Sequence, residues 1–172
     1  MKVAFAADLH VREDRAALHE KLLTRLAWDI VEVRPDLVLV GGELTGRTVP
    51  HCATPKERNL LIMFLASFDC SVVVIRGNHD EPGDWDFLNK FPNVTYVERP
   101  CVLSMKGGFD VICRPWSETP EMPPGGDGAP AFLLGHAQLR GGLVRVGQPD
   151  VQVKGPVLNP EALMEATKAD FG

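Results

Sequence analysis

The chain predicts an α/β fold built on a parallel sheet, and three observations carry that prediction. Short apolar runs, Val3-Ala4-Phe5-Ala6-Ala7, Leu37-Val38-Leu39-Val40 and Val72-Val73-Val74-Ile75, alternate with segments of helical periodicity. The runs lack apolar–polar alternation, which suits strands covered on both faces. Each run is followed within a few residues by polar side chains of the metal-ligand type, at the strand end where sites form in open α/β sheets.

The first strand is expected over Lys2 to Ala7. A helix follows from about Asp14 to Val33, with Leu18, Leu22, Leu26 and Leu23, Ala27, Ile30 recurring at spacings of four and three as one buried face. Pro35 ends it. Leu37 to Val40 is the second strand, and Gly41-Gly42 turns the chain into Glu43. A second helix is placed over Pro55 to Ala66, with Leu60, Leu61, Phe64 and Leu65 inward, and the third strand over Val72 to Ile75. The order β-α-β-α-β implies parallel pairing.

Beyond Asp80 the texture changes. A short helix near Trp85 to Lys90 leads to strands over Val94 to Val97, Cys101 to Met105 and Phe109 to Cys113, with Gly107-Gly108 as a hairpin turn. Pro115 to Pro130 is read as a long loop, and Ala131 to Leu134 as a buried strand ending at Gly135-His136. Val144 to Val153 suggests an edge hairpin. Asn159-Pro160-Glu161 opens a last helix that ends near Lys168, and Ala169 begins what reads as another strand.

At 172 residues, 45% hydrophobic and 24% charged, the composition is that of an ordinary globular protein. No apolar run reaches the roughly 18 residues of a membrane span. Asp8 interrupts the N-terminal apolar stretch, so it is read as a strand and not a signal peptide. A cytoplasmic protein without membrane contact is expected. Cys52, Cys70, Cys101 and Cys113 form no Cys-x-x-Cys pair, which argues against structural zinc or a disulfide framework; Cys70, Cys101 and Cys113 read as core thiols. The net charge of −5 lends no support to nucleic-acid binding through bulk charge, although bound cations can offset carboxylates locally.

Four strand ends carry chemistry. Asp8 and His10 stand two apart beyond the first, a spacing that in extended backbone puts both side chains on one side. A carboxylate with an imidazole suits manganese, iron or zinc better than calcium. Glu43 follows the second and could bridge two cations. Gly77-Asn78-His79-Asp80 follows the third: Asn78 offers a carbonyl oxygen, His79 can protonate a leaving oxygen or stabilise phosphoryl charge, and Asp80 can orient His79 by accepting its other ring proton. His136 ends the fourth. His19 and His51 read as structural or solvent-facing.

Taken in order, Asp8-Leu9-His10, Gly42-Glu43, Gly77-Asn78-His79-Asp80 and the strand-end His136 resemble the calcineurin-like metallophosphoesterase family. The resemblance implies a β-sandwich flanked by helices and two divalent metals, manganese above all, with iron, zinc or magnesium as alternatives. Asp8 and His10 would hold one metal, Glu43 would bridge, and Asn78 with His136 would hold the other. His79 would assist leaving-group departure, supported by Asp80. The stretch from Gly135-His136 through Arg140-Gly141-Gly142, Leu158 to Leu163 and Ala169-Asp170-Phe171 is similar to DNA repair exonuclease subunits that partner a coiled-coil ATPase.

Two departures accompany the resemblance. The family's aspartate after Gly-Gly is Glu43 here, and the family's C-terminal Gly-His-x-His is absent from these 172 residues. One phosphoesterase domain over residues 1–172, cut short at its C-terminus, is therefore expected. Completion of the site by another subunit, or loss of activity, would also account for the missing histidines. The implied function is a two-metal phosphodiester hydrolase, a DNA exonuclease or endonuclease, that could form a homodimer. A small-molecule or cyclic-nucleotide phosphodiesterase, or a non-catalytic scaffold, are the alternatives. Arg12, Arg114, Arg140 and Arg145, with the Pro115 to Pro130 loop, are the candidates for meeting a phosphate backbone.

Overall fold

The computed structural model describes residues 1–46, 52–117 and 130–136, together with the backbone of residues 138–139 and 157–158. The chain divides into two compact units, Met1–Glu98 and Arg99–Gly172. In the first unit β1 (Val3–Ala6), β2 (Leu37–Val40), β3 (Ser71–Ile75) and β4 (Val94–Val97) form a four-stranded parallel sheet in that order. The register aligns Ala6 with Val40 and Val40 with Val74, so the first three strands end level. Their exit loops therefore leave the sheet side by side.

Two helices connect these strands. α1 (Ala16–Val33) follows a 3-10 turn at Glu13–Arg15. It stops at Arg34, whose φ of 50° and amide bond to the Val31 carbonyl make a left-handed cap just before Pro35. α2 (Pro55–Leu65) opens with a capping box. Thr54 Oγ1 accepts the Glu57 N–H, and Glu57 Oε2 accepts the Thr54 N–H at 2.9 Å. The other Glu57 oxygen accepts the Glu13 N–H at 3.0 Å, so this buried carboxylate also ties α2 to the segment before α1. A 3-10 segment, Asp86–Lys90, precedes β4.

The core of the first unit lies where α1 and α2 cover the sheet. Val38, Val40, Val72 and Val74 pack with Leu23, Ala27, Ile30, Leu61, Phe64, Leu65 and the fully buried Trp85 and Leu88. β2 is buried along its whole length, the condition that its unbroken apolar run anticipates.

The α1 face needs one correction. Leu23, Ala27 and Ile30 are buried, but Leu18 and Leu22 are 52% and 55% exposed. A helix turns about 100° per residue. Ala16, Leu23, Ala27 and Ile30 then fall within about 60° of one another, whereas Leu18 and Leu22 point roughly 200–240° away from Ala16. The apolar positions form two ridges, and only one of them meets the sheet.

In the second unit β5 (Cys101–Met105) and β6 (Phe109–Arg114) form an antiparallel hairpin, and β7 (Ala131–Gly135) pairs parallel to β6. Gly107 and Gly108, at φ 112° and 74°, make the turn where the sequence places it. Val111 and Cys113 are fully buried, and burial pushes the Cys113 thiol up to about 12. β8 (Gln138–Leu139) and β9 (Val157–Leu158) are a short parallel pair that the sequence does not announce. Most of the Pro115 to Pro130 loop, the Val144 to Val153 hairpin, the helix from Asn159, the strand from Ala169, and His51, Arg140 and Arg145 lie outside the described residues. Among the described residues no helix is long and apolar enough to cross a membrane.

The two ridges of α1 should separate in stability. Leu23→Ala is expected to cost about 2–5 kcal/mol and Leu22→Ala no more than about 0.5 kcal/mol, as measured by urea unfolding. Equal losses would contradict the assigned face.

Candidate metal centre

The site is built where the first three strands leave the sheet. After β1 the chain turns through Asp8 (φ 54°) and His10 (φ 46°), and after β2 through Gly42 (φ 87°) and Glu43 (φ 55°). Four described non-glycine residues have positive φ, and three of them are candidate ligands. Left-handed backbone is costly for such residues and clusters at functional sites, where surrounding contacts enforce it. The extended geometry expected at Asp8 and His10 is therefore replaced by a tight turn.

The enforcing contacts are between loops. Asp8 N–H donates to the Gly42 carbonyl at 3.3 Å, His10 N–H to the Glu43 carbonyl at 2.8 Å and Val11 N–H to the Leu44 carbonyl at 2.9 Å. The loop after β1 thus runs alongside the loop after β2. The latter lies against the loop after β3: a Cβ on Gly77 would come 2.2 Å from the Glu43 nitrogen, and one on Gly42 would come 2.7 Å from the Gly77 nitrogen. These glycines allow backbone to meet backbone.

Asp80 locks the arrangement. It is fully buried. Its carboxylate accepts the N–H groups of Gly77 (2.9 Å), Leu44 (3.0 Å) and Thr45 (3.1 Å), and lies 3.4 Å from the Thr45 hydroxyl. Burial pushes the Asp80 carboxyl above its ordinary value, against the pull of the Gly77, Thr45 and Leu44 amides. Where the sequence reading gives this carboxylate to the His79 ring, its hydrogen bonds here go to the backbone of two strand exits.

The convergence of loops brings three side chains together. Glu43 Oε2 lies 3.3 Å from His10 Nδ1 and 3.0 Å from His79 Nδ1. One ligand atom from each of His10, Glu43 and His79 falls within 4.8 Å of the others. The Glu43 side chain is 5% exposed, that of His79 25% and that of His10 43%, so the group opens to solvent on the His10 side.

Two imidazoles and a carboxylate are the donor set of borderline transition ions. Two observations fit them to a divalent cation. The His79 Nδ1 atom is buried and makes no aligned hydrogen bond despite its closeness to Glu43. The Glu43–His10 and Glu43–His79 separations also match the spacing of about 3.0–3.4 Å between ligands that each sit about 2.1 Å from one ion.

The other candidates are placed differently. The Asp8 carboxylate does not join the three-residue group. Asn78 is half-buried between Gly77 and His79. His136 follows β7 in the second unit; its N–H donates to the Arg114 carbonyl at 3.0 Å and its ring stands edge-on to Trp116. Arg12 is paired with Asp14 at 2.8 Å, and Arg114 is buried, which pushes its guanidinium down, so neither is a free surface cation. Sequence reasoning did not place the His79 ring beside Glu43 and His10, nor Thr45 and Gly46 as packing partners. A Cβ on Gly46 would come 2.4 Å from the His10 carbonyl oxygen. The available signal was Leu44-Thr45-Gly46 directly after Glu43.

A parallel α/β sheet whose strand exits converge imidazoles on a buried carboxylate defines a metal-binding α/β protein. Residues 1–152 match the calcineurin-like phosphoesterase family, and the chain belongs to that family, which is a family of hydrolases that generally use divalent metals. No curated protein matches the chain.

Asp80→Asn keeps the shape but turns an amide toward backbone donors. It is expected to lower the unfolding free energy by about 3 kcal/mol or more, since several hydrogen bonds to a buried charge are lost together. A loss below about 1 kcal/mol in urea unfolding would contradict the anchoring role.

Proposed function

We propose that this chain is a divalent-metal-dependent phosphodiester hydrolase acting on DNA, of the exonuclease or endonuclease kind that works with a coiled-coil ATPase subunit. The observation that carries the reading is the placement of His10, Glu43 and His79 at adjacent strand exits of a calcineurin-like phosphoesterase domain. A divalent ion there supplies neutralisation of charge at phosphorus and activation of water for attack. Glu43 contributes the buried negative charge that makes a cation favourable at this position, and the exposed His10 side leaves an approach for substrate. In the two-ion form of the proposal, Asp8 joins His10 at one ion, and Asn78 and His136 serve the other, with manganese as the working metal.

The DNA-repair assignment is supported by the similarity of Gly135-His136, Leu158 to Leu163 and Ala169-Asp170-Phe171 to the exonuclease branch. A second reading, a phosphodiesterase for small molecules, is favoured by the net charge of −5, the pairing of Arg12 with Asp14 and the burial of Arg114. Neither of these two arginines is then at hand to meet a phosphate backbone.

Turnover of bis-p-nitrophenyl phosphate and of linear double-stranded DNA, at millimolar manganese, separates the readings. Hydrolysis of both is expected, stopped by EDTA and lowered about 100-fold or more in kcat/KM by Glu43→Gln. Turnover of the small diester alone would select the second reading. No turnover of either by folded protein would overturn both.

A further inference from the structure

Glu43 stands where the family pattern carries aspartate, and its backbone has no freedom to compensate for the extra methylene. Its nitrogen abuts Gly77, its carbonyl accepts the His10 N–H, and its φ is fixed at 55°. The added length therefore appears as reach. One methylene extends a side chain by about 1.5 Å, whereas metal–ligand distances tolerate about 0.2 Å. With that reach, one carboxylate oxygen meets His10 Nδ1 on one side and His79 Nδ1 on the other, at 3.3 and 3.0 Å. The two rings are 5.7 Å apart and tilted by 53°, with both Nδ1 atoms close to the same oxygen.

We propose that Glu43 recruits His79 as a direct ligand of the cation that it shares with His10, which takes His79 Nδ1 out of proton transfer. The inference rests on the phosphoesterase reading of the site and departs from the role that reading gives His79. Three facts of the fold support it. The carboxylate that would hold His79 as a proton donor, Asp80, is occupied by the amides of Gly77, Leu44 and Thr45. His79 Nδ1 is buried without an aligned hydrogen bond, a costly state for an imidazole nitrogen unless it gains a partner such as an ion. The two-imidazole, one-carboxylate set selects zinc, iron(II) or manganese over calcium. An imidazole whose lone pair binds the ion cannot at the same time accept and deliver a proton through that nitrogen.

A double-mutant cycle on the full 172-residue chain tests the recruitment. Affinities for Mn(II) and Zn(II) are measured by calorimetry for the wild type, His79→Ala, Glu43→Asp and the double variant, with thermal unfolding by circular dichroism confirming that each is folded. His79→Ala is expected to weaken binding at least about 10-fold in the wild type and less than about 3-fold in the Glu43→Asp background, because the shorter side chain no longer draws His79 to the ion. An unchanged affinity in His79→Ala would overturn the assignment and leave the metal-hydrolase reading standing. Equal losses in both backgrounds would make His79 a ligand independent of Glu43 and overturn the recruitment. A folded wild type that binds neither ion would overturn both the inference and the reading beneath it.

Discussion

The Asp80 carboxylate is the interaction on which the site depends. Where parallel strands leave their sheet, backbone N–H groups lose their ladder partners and must find others if buried. Leu44, Thr45 and Gly77 are in that position, and one carboxylate takes all three of their N–H groups. The exit of β2 is thereby fastened to the exit of β3. Glu43 immediately precedes the fastened residues and His79 immediately precedes Asp80, so the anchor positions both without touching the chemistry itself. Net stabilisation by a hydrogen bond to a charged group is about 1.5–3 kcal/mol, enough in sum to hold strained backbone at about 1–3 kcal/mol per residue.

Glycine supplies the second half of the constraint. Gly42 and Gly77 let the two exits come into backbone contact, and Gly46 does the same against the His10 carbonyl. A side chain at any of these positions would separate the loops and pull the imidazoles away from Glu43. Further from the site, Glu57 plays a comparable part. It is buried, caps α2 and takes the Glu13 amide, which fixes the segment between His10 and α1 to the start of α2. Asp80 and Glu57 thus meet the electrostatic cost of burial with backbone amides, while Glu43 faces two histidines.

Much of the first unit is legible in the sequence because its strands are unbroken apolar runs. Leu37–Val40 and Val94–Val97 fall at their observed bounds, and Val72–Ile75 differs by one residue. The α1 face is harder to read where Leu18 and Leu22 continue a leucine ridge that faces solvent, since spacing alone does not say which ridge meets the sheet. The order of the motifs joins His10, Glu43 and His79 in one centre, but nothing in the sequence sets the His79 ring against the Glu43 carboxylate. That Asp80 turns to amides 35 or 36 residues away, and that Glu43 reaches His79, are consequences of loops meeting in space. Local spacing carries no record of them. The capping pair is different: Thr54 and Glu57 have the spacing of a capping box, a signal less conspicuous than the Pro55 between them.

The most direct measurement is the position of a bound ion in crystals of this protein grown with manganese or zinc, located by anomalous scattering. The expected result is a peak about 2.0–2.3 Å from His10 Nδ1, a Glu43 carboxylate oxygen and His79 Nδ1 together. An ion ordered elsewhere while these three side chains keep only one another for company, or a site that stays empty at saturating metal, would contradict a metal centre held at the fastened strand exits.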